Sequence, residues 1–342
     1  MRIGDFEIGS RTFIIAEIGN NHLGRVESAH EMLDAAADSG VDAVKFQLYT
    51  PELLVTADMP VLAHVPKSEA TTQRERFSKM RLPDAAYQEL ANHAVERGVV
   101  FLTTPFDRES VDLLDPFLQA YKIASGEANN FGLIDYIKAK NKPILLSTGM
   151  CSEAEVDALV ERLPADRSAI LHCIGSYPTP DDQASLAVIG RMRQRYGLPI
   201  GYSDHTVDTL APIVAVAMGA TVIEKHFLID PDSPAGDRAL SITPKQMSRM
   251  VEDIRRIESM LGESIRALQP CEEYGSRALR KCLYASTGIQ AGDMISQENT
   301  ILLRPMVDGA REPALQDRQL RATGSIGEGE ALTESNTETV SE

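Results

Sequence analysis

Apolar and polar positions alternate along this chain with two different periods. Short β-branched runs, each four to eight residues long, are separated by longer segments in which apolar residues recur every three or four positions. The short runs predict strands at 12–19, 42–48, 99–105, 120–125, 143–148, 169–176, 198–204 and 221–227. The longer segments predict helices at 25–40, 82–98, 108–118, 131–141, 153–163, 184–196, 208–218 and 244–261. Gly40 and Gly98 supply stop signals for the first two helices. Strict strand–helix repetition implies a parallel sheet, and eight units in this length match a closed (β/α)8 TIM barrel. A doubly wound open sheet is the rival, but no glycine-rich dinucleotide turn follows the first strand. One stretch interrupts the pattern. Residues 49–83 are rich in proline and charge and read as a surface loop or lid.

The pattern changes after Gly262. The expected division is a barrel over 1–262, a linker over 263–283 and a small β-rich domain over 284–342. Inside the last part the chain repeats itself. "IQAGDMISQENT" (289–300) aligns with "IGEGEALTESNT" (326–337), 37 positions on. The matched positions pair Ile289 with Ile326, Gly292 with Gly329, Asp293 with Glu330, and Asn299-Thr300 with Asn336-Thr337. This reads as one domain built from two similar halves; two unrelated turns sharing turn residues is the alternative.

Composition narrows the function. Of 342 residues, 43% are hydrophobic, which is enough for a full core, and the net charge is −16. So acidic a chain is repelled by phosphate backbones and anionic lipid, which argues against nucleic-acid and membrane partners. An anionic ligand needs a local basic pocket. Cys151, Cys173, Cys271 and Cys282 form no CxxC pair and read as reduced thiols. No signal-peptide core or membrane span is apparent, so a cytoplasmic protein is expected.

Polar residues at the ends of strands buried on both sides need a reason. Every predicted strand carries them: Glu17, then Asn20, Asn21 and His22; Lys45 and Gln47; Thr103 and Thr104; Lys122 and Ser125, then Glu127; Ser147 and Thr148; His172, then Ser176 and Tyr177; Ser203, Asp204 and His205; and Glu224, Lys225 and His226 in "VIEKHF". In a barrel such ends converge on one mouth. Strand alternation puts Glu224 and His226 on one face and Lys225 on the other, and likewise pairs Ser203 with His205. Two imidazoles from adjacent strands, completed by waters or substrate oxygens, suit a divalent metal such as Mn2+ or Fe2+. Each histidine satisfying its own core hydrogen bond is the alternative. Lys45 and Lys122, with hydroxyls around them, read as an anion cradle; a Schiff-base lysine or lysines snorkelling at the rim are the alternatives. Glu17 is the best placed carboxylate for proton handling. His30, His64 and His93 read as surface residues, and Cys173 as a core filler.

The ordered set "AEIGNNHLG", "VKFQLY", "TTPFD", "YKIASGE", "LSTGM", "HCIGSYPTP", "IGYSDHT" and "VIEKHF" resembles the sialic acid synthase (N-acetylneuraminate synthase) family over the whole chain. "LRKCLYASTGIQAGDMISQENTILLRP" resembles that family's antifreeze-like (SAF) domain. The resemblance implies condensation of phosphoenolpyruvate with a 2-acetamido aldose, giving a nine-carbon 2-keto acid and phosphate. It implies a divalent metal at His205 and His226, Mn2+ first, with Mg2+ or Co2+ as alternatives. By motif match, Lys45, Thr104, Lys122, Ser125, Ser147 and Ser203 fall where the family binds phosphoenolpyruvate. Glu17 and Glu127 fall on its catalytic carboxylates, with His205 and His226 beside them. Tyr177 and Asp237 fall at the amino sugar. Arg304 falls where one subunit's antifreeze-like domain reaches the partner's barrel, which implies a domain-swapped homodimer.

Three positions depart from the family pattern: Gly175 two residues before the tyrosine of "YPTP", Arg238 beside Asp237, and Met306 after "RP". Gly175 lacks one phosphate contact the family pattern implies, and the departures at Arg238 and Met306 point to an acceptor other than plain N-acetylmannosamine, such as a 2,4-diacetamido-trideoxyhexose. A Schiff-base aldolase and a non-catalytic sugar-binding or scaffold protein remain the rival functions.

Overall fold

Alternation along each apolar run determines which side chains enter the barrel. The computed structural model describes residues 1–63, 65, 70–311 and 319–340; His64 lies outside them. The chain divides into two units, Met1–Gly262 and Glu263–Glu342.

The first unit opens with a hairpin, β1 (Arg2–Ile3) and β2 (Phe6–Glu7), joined by a two-residue turn in which Gly4 has φ +56°. Eight parallel strands follow: β3 (Phe13–Gly19), β4 (Ala43–Leu48), β5 (Val100–Pro105), β6 (Tyr121–Ile123), β7 (Ile144–Ser147), β8 (Ser168–Cys173), β9 (Ile200–Asp204) and β10 (Val222–His226). They hydrogen-bond in the order β5-β4-β3-β10-β9-β8-β7-β6. The last strand pairs with the first, Val222 opposite Phe13 and His226 opposite Glu17. The end strands β5 and β6 pack side by side and bring the sheet round into a barrel. Among the described residues, the helices connecting these strands are α1 (Val26–Asp38), α2 (Pro51–Leu54), α3 (Gln73–Met80), α4 (Asp84–Glu96), α5 (Arg108–Leu114), α6 (Phe131–Lys138), α7 (Glu153–Arg162), α8 (Ala187–Tyr196) and α9 (Leu210–Ala217); α10 (Pro244–Leu261) follows β10. Capping boxes fix the starts of α7 (Ser152 with Glu155) and α10 (Thr243 with Gln246).

Two apolar cores result. The outer one lies between sheet and helices and takes the outward residues of the strands, such as Ile14, Val44, Phe46, Ile170 and Ile223. The inner one fills the amino-terminal half of the barrel with Phe13, Ile15, Leu102, Leu145, Leu171 and Val222. Ile3 and Ile8 from the hairpin segment pack against this plug and close it below. Above it the inward positions become polar, as a barrel with its chemistry at the strand carboxyl ends requires.

The 49–83 stretch is more than a surface loop. It folds into α2 and α3, and the side chains of Gln73 and Arg76 are buried. His30 and His93 also differ from the surface reading. They are half-buried partners between α1 and α4, with Nδ1 atoms 2.7 Å apart, and His93 reaches Asp34 at 2.9 Å.

The second unit contains α11 (Glu273–Ala278) within the expected linker, then β11 (Cys282–Ala285), β12 (Met294–Ile295), β13 (Thr300–Leu303), β14 (Leu320–Ala322) and β15 (Thr337–Thr339). The sequence repeat is a repeat of hydrogen bonds. Ile289 and Ile326 exchange both backbone bonds at 2.9 Å. Asp293 accepts from the Gln290 N–H, as Glu330 does from Gly327. Asn299 accepts from Ser296 and donates to Met294, as Asn336 does with Thr333 and Ala331. Gly292 and Gly329 both take positive φ, +91° and +81°. Ile289, Ile326 and Leu332 are buried together in this unit's own core.

Candidate active site

The inward residues of the upper barrel surround a cavity of about 710 Å3. Its floor is an ion network. Lys45 Nζ lies 2.7 Å from Glu17 Oε2 and donates to Thr104 Oγ1 at 3.0 Å. Lys122 Nζ donates to Ser147 Oγ at 2.7 Å. Glu224 stands between the two lysines, 3.8 Å from Lys45 and 3.7 Å from Lys122, and accepts from Ser203 Oγ at 2.9 Å. Gln47 donates to Glu17 Oε1 at 2.8 Å. Register explains this convergence: Glu17 is opposite Lys45, and Ser203 opposite Glu224.

Burial sets the protonation of this network. It raises the Glu17 carboxyl to about 7, because desolvation outweighs the attraction of Lys45, and Glu224 repels as well. Burial also pushes Lys122 below its ordinary value, with Glu224 opposing. For Lys45 burial acts the same way, but the carboxylates of Glu17 and Glu224 prevail and raise it. The difference follows distance, since the nearest carboxylate is 2.7 Å from Lys45 and 3.7 Å from Lys122.

His205 and His226 stand above this floor with ring centroids 5.4 Å apart. His205 Nδ1–H donates to the Ile174 carbonyl at 2.8 Å, which leaves Nε2 as that ring's free lone pair. His226 Nδ1 has no hydrogen-bond partner among the described residues and lies 3.6 Å from Asp237 Oδ2. Burial holds His226 well below its usual range, reinforced by His205 and the lysines, so it is neutral. Tyr177 packs on His205 at 4.2 Å and meets His226 edge-on at 6.1 Å. Among the described residues no three His, Cys, Asp or Glu side chains are grouped to enclose a metal ion. The pair nevertheless fits a divalent metal completed by water or substrate oxygens, because a buried, neutral imidazole nitrogen without a partner is a ligand in waiting.

Most of the other expected residues join this cavity. Ser125 lines it and accepts from the Gly149 N–H at 2.9 Å. Ser176 and Asp237 line it too. Glu127 does not. It sits in a single 3-10 turn, and its carboxylate accepts from Asn130 Nδ2 at 2.7 Å. Arg304 belongs to the second unit and is exposed there. Several strand-end polar residues face outward to the helices. His172 stacks on Tyr202 at 5.7 Å and bonds the Ala184 carbonyl. His22 accepts from the Gly24 N–H, and burial lowers it to about 4. Lys225 pairs with Asp204 at 2.6 Å, both fully buried. Glu224 supports the lysines and Ser203.

Sequence reading missed two contributions. Cys173 faces inward, 3.8 Å from His205 Nδ1, where burial raises its thiol but the imidazole and Lys122 bring it below the ordinary value. Spacing along the chain could not reveal a contact between neighbouring strands. Gln73, Arg76 and Phe77 of α3 also line the cavity. Their signal was present: Thr72 and Glu75 form an N-terminal cap, and Gln73, Arg76, Phe77 and Met80 share one helical face.

Comparison with known proteins agrees with this architecture. A profile of the NeuB family matches residues 32–266. The chain is 35% identical over 303 residues to an N,N'-diacetyllegionaminic acid synthase of Campylobacter jejuni, covering 86% of this chain and 91% of that one. It is 33% identical over 347 residues to a pseudaminic acid synthase of Campylobacter jejuni, covering 98% and 99%. Among solved structures, the N-acetylneuraminic acid synthetase of Leptospira borgpetersenii superposes with a TM-score of 0.73 at 29% identity, over 80% of this chain and 94% of that one. The chain is therefore an enzyme, and it belongs to the NeuB family.

Proposed function

We propose that this enzyme condenses phosphoenolpyruvate with a 2-acetamido aldose, releasing phosphate and forming a nine-carbon 2-keto acid, and that the acceptor is a 2,4-diacetamido-trideoxyhexose. The observation that carries the reaction is the pairing of an anion cradle, Lys45 and Lys122 with their hydroxyls, with two adjacent imidazoles above it. A dianionic substrate and a carbonyl acceptor need those two features side by side.

Lys45, Thr104, Lys122, Ser125, Ser147 and Ser203 hold the carboxylate and phosphate and aim C3 of the enol at the acceptor carbon. His205 and His226 hold a divalent metal, which when bound supplies Lewis acidity at the aldehyde oxygen. The C3 carbon bonds to the aldehyde carbon, and positive charge develops at C2. Water adds at C2. Glu17, ionised at the outset, accepts the proton of that water and returns it to the former aldehyde oxygen. The C2–O bond to phosphate then breaks as the C2 hydroxyl becomes the keto group, and its proton leaves with the phosphate. Tyr177 and Asp237 face the sugar from above the imidazoles. Glu127 acts only from outside the cavity wall. Arg304 and a homodimer enter on the family resemblance alone, and a monomer by light scattering would remove both.

A phosphate-release assay over a panel of acceptor aldoses tests the reading. Turnover is expected to be fastest with the diacetamido sugar, to stop on chelation and to return with Mn2+. Fastest turnover with N-acetylmannosamine would contradict the acceptor, and activity indifferent to chelator would contradict the metal pair.

A further inference from the structure

One helix face above the barrel mouth offers a donor and an acceptor that no described residue uses. Gln73 and Arg76 are three residues apart on α3, so their side chains leave the same face. Both line the cavity, and they are only 1% and 6% exposed. Gln73 Oε1 and Arg76 Nε nevertheless have no hydrogen-bond partner among the described residues. A buried polar atom left unpaired is destabilising, so two of them on one cavity wall need a reason.

Local packing holds the arginine there. A Cβ at position 236 would stand 2.3 Å from Arg76 Nη2, so the lack of a side chain at Gly236 admits the guanidinium. The guanidinium also lies over the Phe77 ring, 6.0 Å from its centroid. The next residue, Asp237, reaches toward His226 at 3.6 Å. The Gln73–Arg76 pair thus enters the cavity from α3, beside the 236–237 segment, and the imidazoles enter it from the strand ends.

The chemistry of the pair is selective. An oxygen acceptor beside an N–H donor complements a secondary amide, which presents N–H and C=O together. A phosphate or carboxylate has acceptors only and would leave the glutamine oxygen without a donor. We propose that Gln73 and Arg76 bind the acyl-amide of the acceptor sugar that is remote from its aldehyde, and so select a diacetamido over a monoacetamido acceptor. This rests on the reaction proposed above and names the residues that read its substrate.

The test compares the wild type with Gln73→Met, Arg76→Met and Arg76→Lys. For each, kcat/KM is measured with 2,4-diacetamido-2,4,6-trideoxymannose and with N-acetylmannosamine, together with KM for phosphoenolpyruvate. Each variant is expected to lose about 10- to 100-fold with the diacetamido sugar and less than about 3-fold with N-acetylmannosamine, at unchanged KM for phosphoenolpyruvate. Arg76→Lys should behave like Arg76→Met, because it keeps the charge and lacks the Nε donor. Equal losses with both acceptors, or no loss with either, would overturn the proposal. If the wild type turns over no acceptor, the reaction reading fails by itself. Calorimetric titration of the diacetamido sugar then decides: weaker binding to Arg76→Met than to wild type supports the pair, and equal binding overturns it.

Discussion

Glu17 and Lys225 show how one strand position divides chemistry from structure. Glu17 points into the barrel, where burial raises its carboxyl to about 7. Its folded-state value lies above the ordinary one, so it is half ionised near neutrality. If ionised Glu17 takes the proton of water, kcat/KM falls as pH drops through about 7. Glu17→Gln should remove that limb and lower the rate by about 10²- to 10⁴-fold; a limb that survives in the variant would assign it to another group. Lys225 points the other way, into the helix layer. It donates to Asp204 and the Thr206 carbonyl with no exposure on either ion-pair partner. Lys225→Met leaves a buried carboxylate alone and should destabilise by about 3–5 kcal/mol, whereas adding Asp204→Leu should restore most of it. Urea denaturation measures both, and a single variant as stable as wild type would contradict a structural role.

At the scale of elements, much was readable from period alone. Inward Glu224 and His226 and outward Lys225 follow from period-two alternation, and the barrel follows from strand–helix repetition. Across strands, the adjacency of His205 and His226 was readable, but the meeting of Cys173 with His205 was not, because parallel register brings together residues 32 positions apart. His172 looked like a site residue by its place near a strand end, yet its alternation phase sends it outward to Tyr202. α3 was hidden for a different reason. Its inward face carries Gln73 and Arg76, which are polar yet buried, beside half-buried Phe77 and Met80. The hairpin β1–β2 was likewise too short to show a period. Ile3 is fully buried in the lower barrel plug, so Ile3→Ala should cost about 2–5 kcal/mol, read from the denaturation midpoint. A change below about 0.5 kcal/mol would mean the hairpin does not seal the barrel.

For the whole molecule, the contrast is between a net charge of −16 and a cavity floor holding Lys45 and Lys122. In the proposed reaction these two lysines, held beside Glu17 and Glu224, offer a small anion local N–H donors, whereas the global charge repels larger polyanions. No helix among the described residues is long and apolar enough to cross a membrane. The second unit builds its own core from its two half-repeats. Its resemblance to an antifreeze-like domain rests on sequence motifs alone, and its hydrogen-bond repeat accounts for the internal sequence repeat. The barrel holds both halves of the proposed reaction, the anion cradle and the imidazole pair, and the direction of bond breaking is the point on which a synthase and an aldolase differ. Phosphoenolpyruvate carrying a heavy oxygen isotope at the bridging C2–O position separates them. With the diacetamido acceptor, the label is expected entirely in the released phosphate by mass spectrometry. Label retained in the sugar acid, or a lysine adduct trapped by borohydride, would contradict the proposed condensation.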